Sequence, residues 1–304
     1  MNSFRTLLLI PFLLYLSGGA GLAASPSPET EVDELIRQGA YSKARERIES
    51  LLATAPDSLN YHLRAARLYK KMGLWSRAIM EYEAVRRQSP SLAEPYIALS
   101  EMYSENLSSD LALSMAREAV RLTPNSKKAV GQLISSLLSN YQYQEANEEL
   151  AALLKRFPRD GEVHYLAYKL NKDTGDLKTA KVFLEEAINL APAKIGWLLE
   201  LSDICEALHD INCARSSLKT YLEAEPDSVE ALQKRAWLEE RYLFDFQAAS
   251  RTYSRILELD PESWVAEAGL DRLKLKRKDA AEAMKRAVRK FFSDISNWFA
   301  DLAS

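Results

Sequence analysis

The residues able to do chemistry are few and scattered. Three histidines, His62, His164 and His209, stand 102 and 45 residues apart, without the short spacing that puts two imidazoles on one helix face around a zinc ion. Cys205 and Cys213 are eight residues apart, too wide for a Cys-x-x-Cys redox pair. Set across a tight helical turn, they can bridge in an oxidising compartment. That requires facing positions, because antiparallel axes lie ~8–10 Å apart and bridged Cα atoms within ~7 Å. The alternative is a pair of small buried residues. Adjacent carboxylates such as Glu185-Glu186 belong to solvated helix faces. A glycine-rich phosphate loop, a nucleophile elbow and a haem-attachment motif are all missing from the sequence. These residues point away from an enzyme, and no metal, cofactor or small-molecule substrate is expected.

Charge is more informative. The chain of 304 residues carries a formal net charge of -3, which speaks against a nucleic-acid binder. Residues 272–304 nevertheless hold nine Lys/Arg against four Asp/Glu, while 25–271 hold 30 against 39. An acidic body thus ends in a basic tail. At the other end, Thr6 to Leu16 is apolar and is followed by Ser17-Gly18-Gly19-Ala20-Gly21-Leu22-Ala23-Ala24. Residues 1–24 are expected to be a signal peptide, the alternative being an uncleaved membrane anchor. Residues 25–30 read as a polar, Pro-rich linker.

The elements that position everything else are set by proline. Pro56, Pro90, Pro124, Pro158, Pro192 and Pro226 follow one another at 34-residue intervals, and Pro261 comes one residue late. A proline ends a helix because it lacks an N–H and clashes with the preceding turn. Two residues on, Ser58, Ser126, Asp160, Ser228 and Ser263 are suited to cap the next helix. Breaks at Gly39, Gly73, Asn106, Asn140, Gly175 and His209-Asp210 divide each period into two helical runs. Ala44, Ala78, Ala112, Ala146, Ala180, Ala214 and Ala249 recur in register, each predicting a close helix crossing. A bulky residue follows four positions later and an apolar one three beyond that, on the same face.

A 34-residue helix–turn–helix period of this form resembles the tetratricopeptide repeat family, over residues 31–273. The resemblance implies an all-α, right-handed superhelical α-solenoid of about seven repeats. The family's early Trp is missing. Ile134 and Tyr168 stand where it keeps a small residue, so those two pairs are expected to splay. In this family the first helices line a groove that binds a protein or peptide. Carried over, the groove positions are Leu63, Arg67, Ile97, Glu101, Gly131, Ser135, Tyr165, Lys169, Leu199, Asp203, Gln233 and Trp237. The pattern used to clamp acidic chaperone tails is not matched, because Arg64, Arg67 and Lys70 are followed by Glu94, Glu101 and Glu105.

Residues 274–304 form a basic amphipathic segment. Ala281, Met284, Val288, Phe291, Ile295, Trp298 and Leu302 stand three and four apart, with Phe292 and Phe299 alongside. The stripe is expected to cap the solenoid. An anionic membrane or second partner is the other reading, met by Lys285, Arg286, Arg289, Lys290, Phe292 and Trp298. The expected function is a non-enzymatic protein-interaction scaffold of the bacterial periplasm that supports assembly of a complex. The alternatives are a co-chaperone of the secretory lumen and a membrane-surface tether.

Overall fold

The computed structural model describes residues 27–105 and 108–302, except for the side chains of 280 and 294–302. The leader, Asn106 and the side chain of Trp298 lie outside the described residues. Fifteen helices and no strand occupy the described residues. The chain divides into two compact units, Met1–Pro90 and Ser91–Ser304. The first contains α1 (Pro28–Arg37), α2 (Tyr41–Thr54), α3 (Leu59–Lys71) and α4 (Trp75–Gln88). The second begins with α5 (Ala93–Glu105), α6 (Ser109–Leu122), α7 (Lys127–Ser139), α8 (Tyr143–Arg156), α9 (Gly161–Asp173) and α10 (Leu177–Leu190). It continues through α11 (Trp197–Ala207), α12 (Ile211–Ala224), α13 (Val229–Arg241), α14 (Phe246–Leu259) and α15 (Trp264–Leu302). Helices pair in sequence as hairpins, and α5, α7 and α9 pack side by side along one face of the second unit.

Local chemistry explains the boundaries. Ser58, Ser126 and Ser228 accept from the backbone N–H three residues ahead, and Asp160 accepts from Glu162 and Val163, satisfying donors that a helix start leaves open. Asp176, Asp210 and Asp245 do the same for α10, α12 and α14. Between the helices of a hairpin the chain passes through one left-handed residue: Gly39, Gly73, Tyr141, Gly175, His209 and Phe244. The break expected at Asn140 therefore lies one residue later, where Tyr141 has φ 57°. The late Phe244 marks the inserted residue in the α13–α14 turn. The linker is also shorter than expected, because Ser27 caps α1 and Pro28 occupies its first turn, where a missing N–H costs nothing.

The recurring alanines lie inside the core. Ala44, Ala78, Ala112, Ala146, Ala180, Ala214 and Ala249 are all fully buried. Ile134 and Tyr168 are fully buried too. The start of α9 approaches the end of α10 so closely that a Cβ on Gly161 would lie 2.8 Å from that of Ala191.

The C-terminal segment departs from expectation. The last solenoid helix and the basic segment from residue 274 are one element, since neither Gly nor Pro follows Gly269, and α15 runs unbroken for 39 residues. Its first turns pack on α14 through Ala266, Gly269, Leu270 and Leu273, and Gly269 lies flat against the Tyr253 ring, 2.5 Å from where a Cβ would be. Beyond Leu273 every described side chain is exposed, including Leu275, Met284, Val288, Phe291 and Phe292. The described part of the stripe therefore covers no neighbouring helix, and the packing on α14 comes from the first turns of α15 instead. The terminal surface beside it mixes Phe246, Leu270 and Leu273 with Gln247, Ser250, Arg251, Ser254 and Glu258.

Candidate protein-binding groove

One cavity of the second unit lies over its first helices. It has a volume of about 610 Å³ and is walled by Lys127, Lys128, Gly131, Gln132 and Ser135 of α7 and by Glu162, Tyr165, Leu166 and Lys169 of α9. Glu101 of α5 and Lys194 and Trp197 at the start of α11 complete it. Its floor is aromatic. Tyr165 stacks on Trp197 with ring centroids 4.6 Å apart and planes 9° from parallel. The Tyr165 hydroxyl donates to Glu200 Oε1 at 2.6 Å, which fixes the ring's direction. Burial, with the Glu200 carboxylate second, pushes the Tyr165 phenol above its usual range, so it remains a neutral donor.

Sequence irregularity opens this cavity. Gly131 leaves room where its counterparts carry side chains. α11 starts at Trp197 without a side-chain cap, because Gly196 occupies the capping position. The preceding residues turn tightly instead, Trp197 N–H donating to Lys194 O at 3.0 Å, and this brings Lys194 to the cavity mouth. Lys127 is committed to Asp160 and Glu162 and Lys194 lies 3.8 Å from Glu162. Lys128 and Lys169 have no acidic partner among the described residues.

The expected groove residues do not share one site. Tyr165, Lys169, Glu101, Gly131 and Ser135 line this cavity. Trp237 lines another of about 610 Å³ with Arg241, Phe244, Arg272 and Lys276. There its indole N–H donates to Glu206 at 2.9 Å, and Arg241 lies 5.1 Å above its ring. Leu199, Asp203 and Gln233 lie beside neither cavity, and Asp203 pairs with Lys234. Ile97 is a correction: it is 7% exposed and packs with Ala119 and Ala129, because the next first helix covers it. Leu63 and Arg67 are on α3 of the first unit. Sequence reading missed Trp197, Lys194, Lys128 and Gln132. The missing cap at Gly196 was the signal that could have found the first two.

The other candidates resolve differently. Cys205 and Cys213 are bonded, with Cα atoms 5.8 Å apart, across the α11–α12 turn. With Asp210 they form a cluster of metal-ligand type, but their sulfurs are bonded to each other and Asp210 caps α12 and pairs with Lys181. His62 lies between Glu81 Oε2 at 2.5 Å and Pro56 O at 2.7 Å, and His164 packs on Phe183.

No protein-family model and no curated protein matches the sequence. Solved structures do. A tetratricopeptide repeat protein from Parabacteroides merdae aligns over 81% of this chain and 97% of its own, with TM-score 0.62 and 11% identity. This chain has a tetratricopeptide-repeat fold. Two other structures with similar helical arrays carry names that state an assembly context. The APC/C hetero-tetramer Cut9-Hcn1 aligns over 81% of this chain at TM-score 0.62 and 17% identity, and the match spans only 48% of that longer chain. PilW, a type IV pilus biogenesis factor, aligns over 66% of this chain and 92% of its own at TM-score 0.58 and 17% identity. Within the tetratricopeptide-repeat fold, the cavity above Tyr165 lies on the first-helix side, and no helix among the described residues is long and apolar enough to cross a membrane.

Proposed function

We propose that the protein is a non-enzymatic scaffold of the bacterial cell envelope, exported to the periplasm, which holds a partner protein or peptide along its first helices and supports assembly of a complex. The observation that carries this reading is the cavity over α7, α9 and α11. It sets a stacked Tyr165–Trp197 floor beside two lysines, Lys128 and Lys169, that form no ion pair with a carboxylate among the described residues. An extended segment with an apolar side chain next to a carboxylate fits it. The apolar group would cover the rings and the carboxylate would take the lysines. Cut9 is named in a hetero-tetramer and PilW as a biogenesis factor, settings that agree with an assembly role. Export is supported by the apolar leader of residues 1–24 and by the Cys205–Cys213 bond, of a kind that persists in oxidising compartments.

A pull-down from envelope extract tests the reading. Tyr165→Ala combined with Lys128→Glu and Lys169→Glu should cut recovery of the specific partner at least ~30-fold, the loss expected at an interface hot spot. The helical signal should be retained. Equal recovery by wild type and the triple variant would show that this cavity is not where the partner sits.

A further inference from the structure

The free half of α15 is the largest feature that the groove does not use. It projects past the last buried residue, Leu273; Lys276 still reaches back to Glu240 and the Phe246 ring, and beyond it every described side chain is exposed. From 274 to 290 it carries eight Lys/Arg and two Asp/Glu. Lys274 pairs with Asp271, Lys276 with Glu240 and Lys285 with Glu282. Arg277, Lys278, Arg286, Arg289 and Lys290 have no acidic partner among the described residues. On the side turned away from Arg286 and Lys290, and in line with Arg277 two turns earlier, Met284, Val288, Phe291 and Phe292 are 71, 44, 61 and 63% exposed. At 3.6 residues per turn these four fall within an arc of ~120°, and Lys285 borders it next to Phe292. The sequence carries the spacing on to Ile295, Trp298 and Leu302.

We propose that this half-helix lies on an anionic lipid surface, with its aromatic stripe in the headgroup–acyl boundary and its lysines and arginines among the phosphates. Charge decides the occupant. A second copy of α15 would bring the same uncompensated cations alongside. In a parallel pair with Ala281 and Met284 at the seam, Ala280 would face Lys285, and Ala287 would face Phe292, so no opposite charges would meet. An anionic bilayer satisfies both faces at once: it takes the apolar arc and supplies the missing counter-charge. The inference is independent of the groove, and its test uses no protein partner.

The test uses a chain starting at Ser25, which keeps every described residue and omits the apolar leader. It should co-sediment with vesicles of mixed phosphatidylglycerol and phosphatidylcholine at least ~10-fold more than with pure phosphatidylcholine, and less as salt is raised. Phe291→Ser with Phe292→Ser, and separately Arg286→Glu with Arg289→Glu, should each abolish the difference while leaving the thermal transition unchanged, since all four residues are exposed. Two outcomes would overturn the proposal. One is equal binding to both vesicle types. The other is a concentration-dependent dimer in lipid-free solution that the phenylalanine substitutions convert to monomer.

Discussion

Glu240 shows how a single residue is set by its surroundings. It is 5% exposed and accepts from Tyr253 Oη at 3.1 Å, Arg272 Nη2 at 3.1 Å and Lys276 Nζ at 2.9 Å. Burial alone would push its carboxyl up. The hydrogen bonds from Arg272, Lys276 and Tyr253 outweigh that and hold it below the usual carboxylate range. Burial beside the same carboxylate pushes the Tyr253 phenol up to about 12. A carboxyl depressed on folding stabilises the protein above its unfolded pKa, and that contribution is lost as pH falls through the folded value. Glu240→Gln should therefore lower unfolding free energy by about 1–3 kcal/mol at neutral pH, and the gap should close below pH ~4. Urea melts of both proteins at the two pH values would check this. The cluster was not legible in the sequence, because Glu240, Tyr253 and Arg272 are far apart in the chain and meet only when α13, α14 and α15 pack. Ile97 was misread for a related reason. The 34-residue offset gives the face a residue is on, whereas its exposure depends on what the next hairpin lays over it.

At the level of the helix pair, the turn is where rule and exception are both visible. The left-handed position is glycine in three hairpins and Tyr141, His209 or Phe244 in three others. Side chains with a Cβ pay for that backbone conformation, and glycine does not. Gly175 has open space around it, so Gly175→Ala tests conformation alone and should cost about 1 kcal/mol. Tyr141→Gly should move stability the other way by a similar amount. Guanidinium melts of the two variants would decide it. Prolines, caps and alanines were readable in advance because every hairpin meets the same kind of neighbour, so the same contact is written repeatedly. The exposure of the free half of α15 was not readable. An amphipathic period says that a face needs covering and is silent on whether the cover belongs to the same chain.

For the whole molecule, nearest-neighbour packing makes stability a sum of hairpin and junction contributions. Deleting residues 142–175 removes one full period and joins the left-handed Tyr141 directly to Asp176, which caps α10. That shortened chain should fold with unchanged helicity per residue by circular dichroism. A 34-residue deletion ending inside the α13–α14 turn should not fold, because the turn at Phe244 is one residue out of step. The same one-residue slip has a genealogical consequence. Whole hairpins upstream of it can be copied or lost in register, so the array can lengthen or shorten between descendants. The segment from α13 to the basic tail, bound together by Glu240 and keyed to its own turn, should be inherited as a single block.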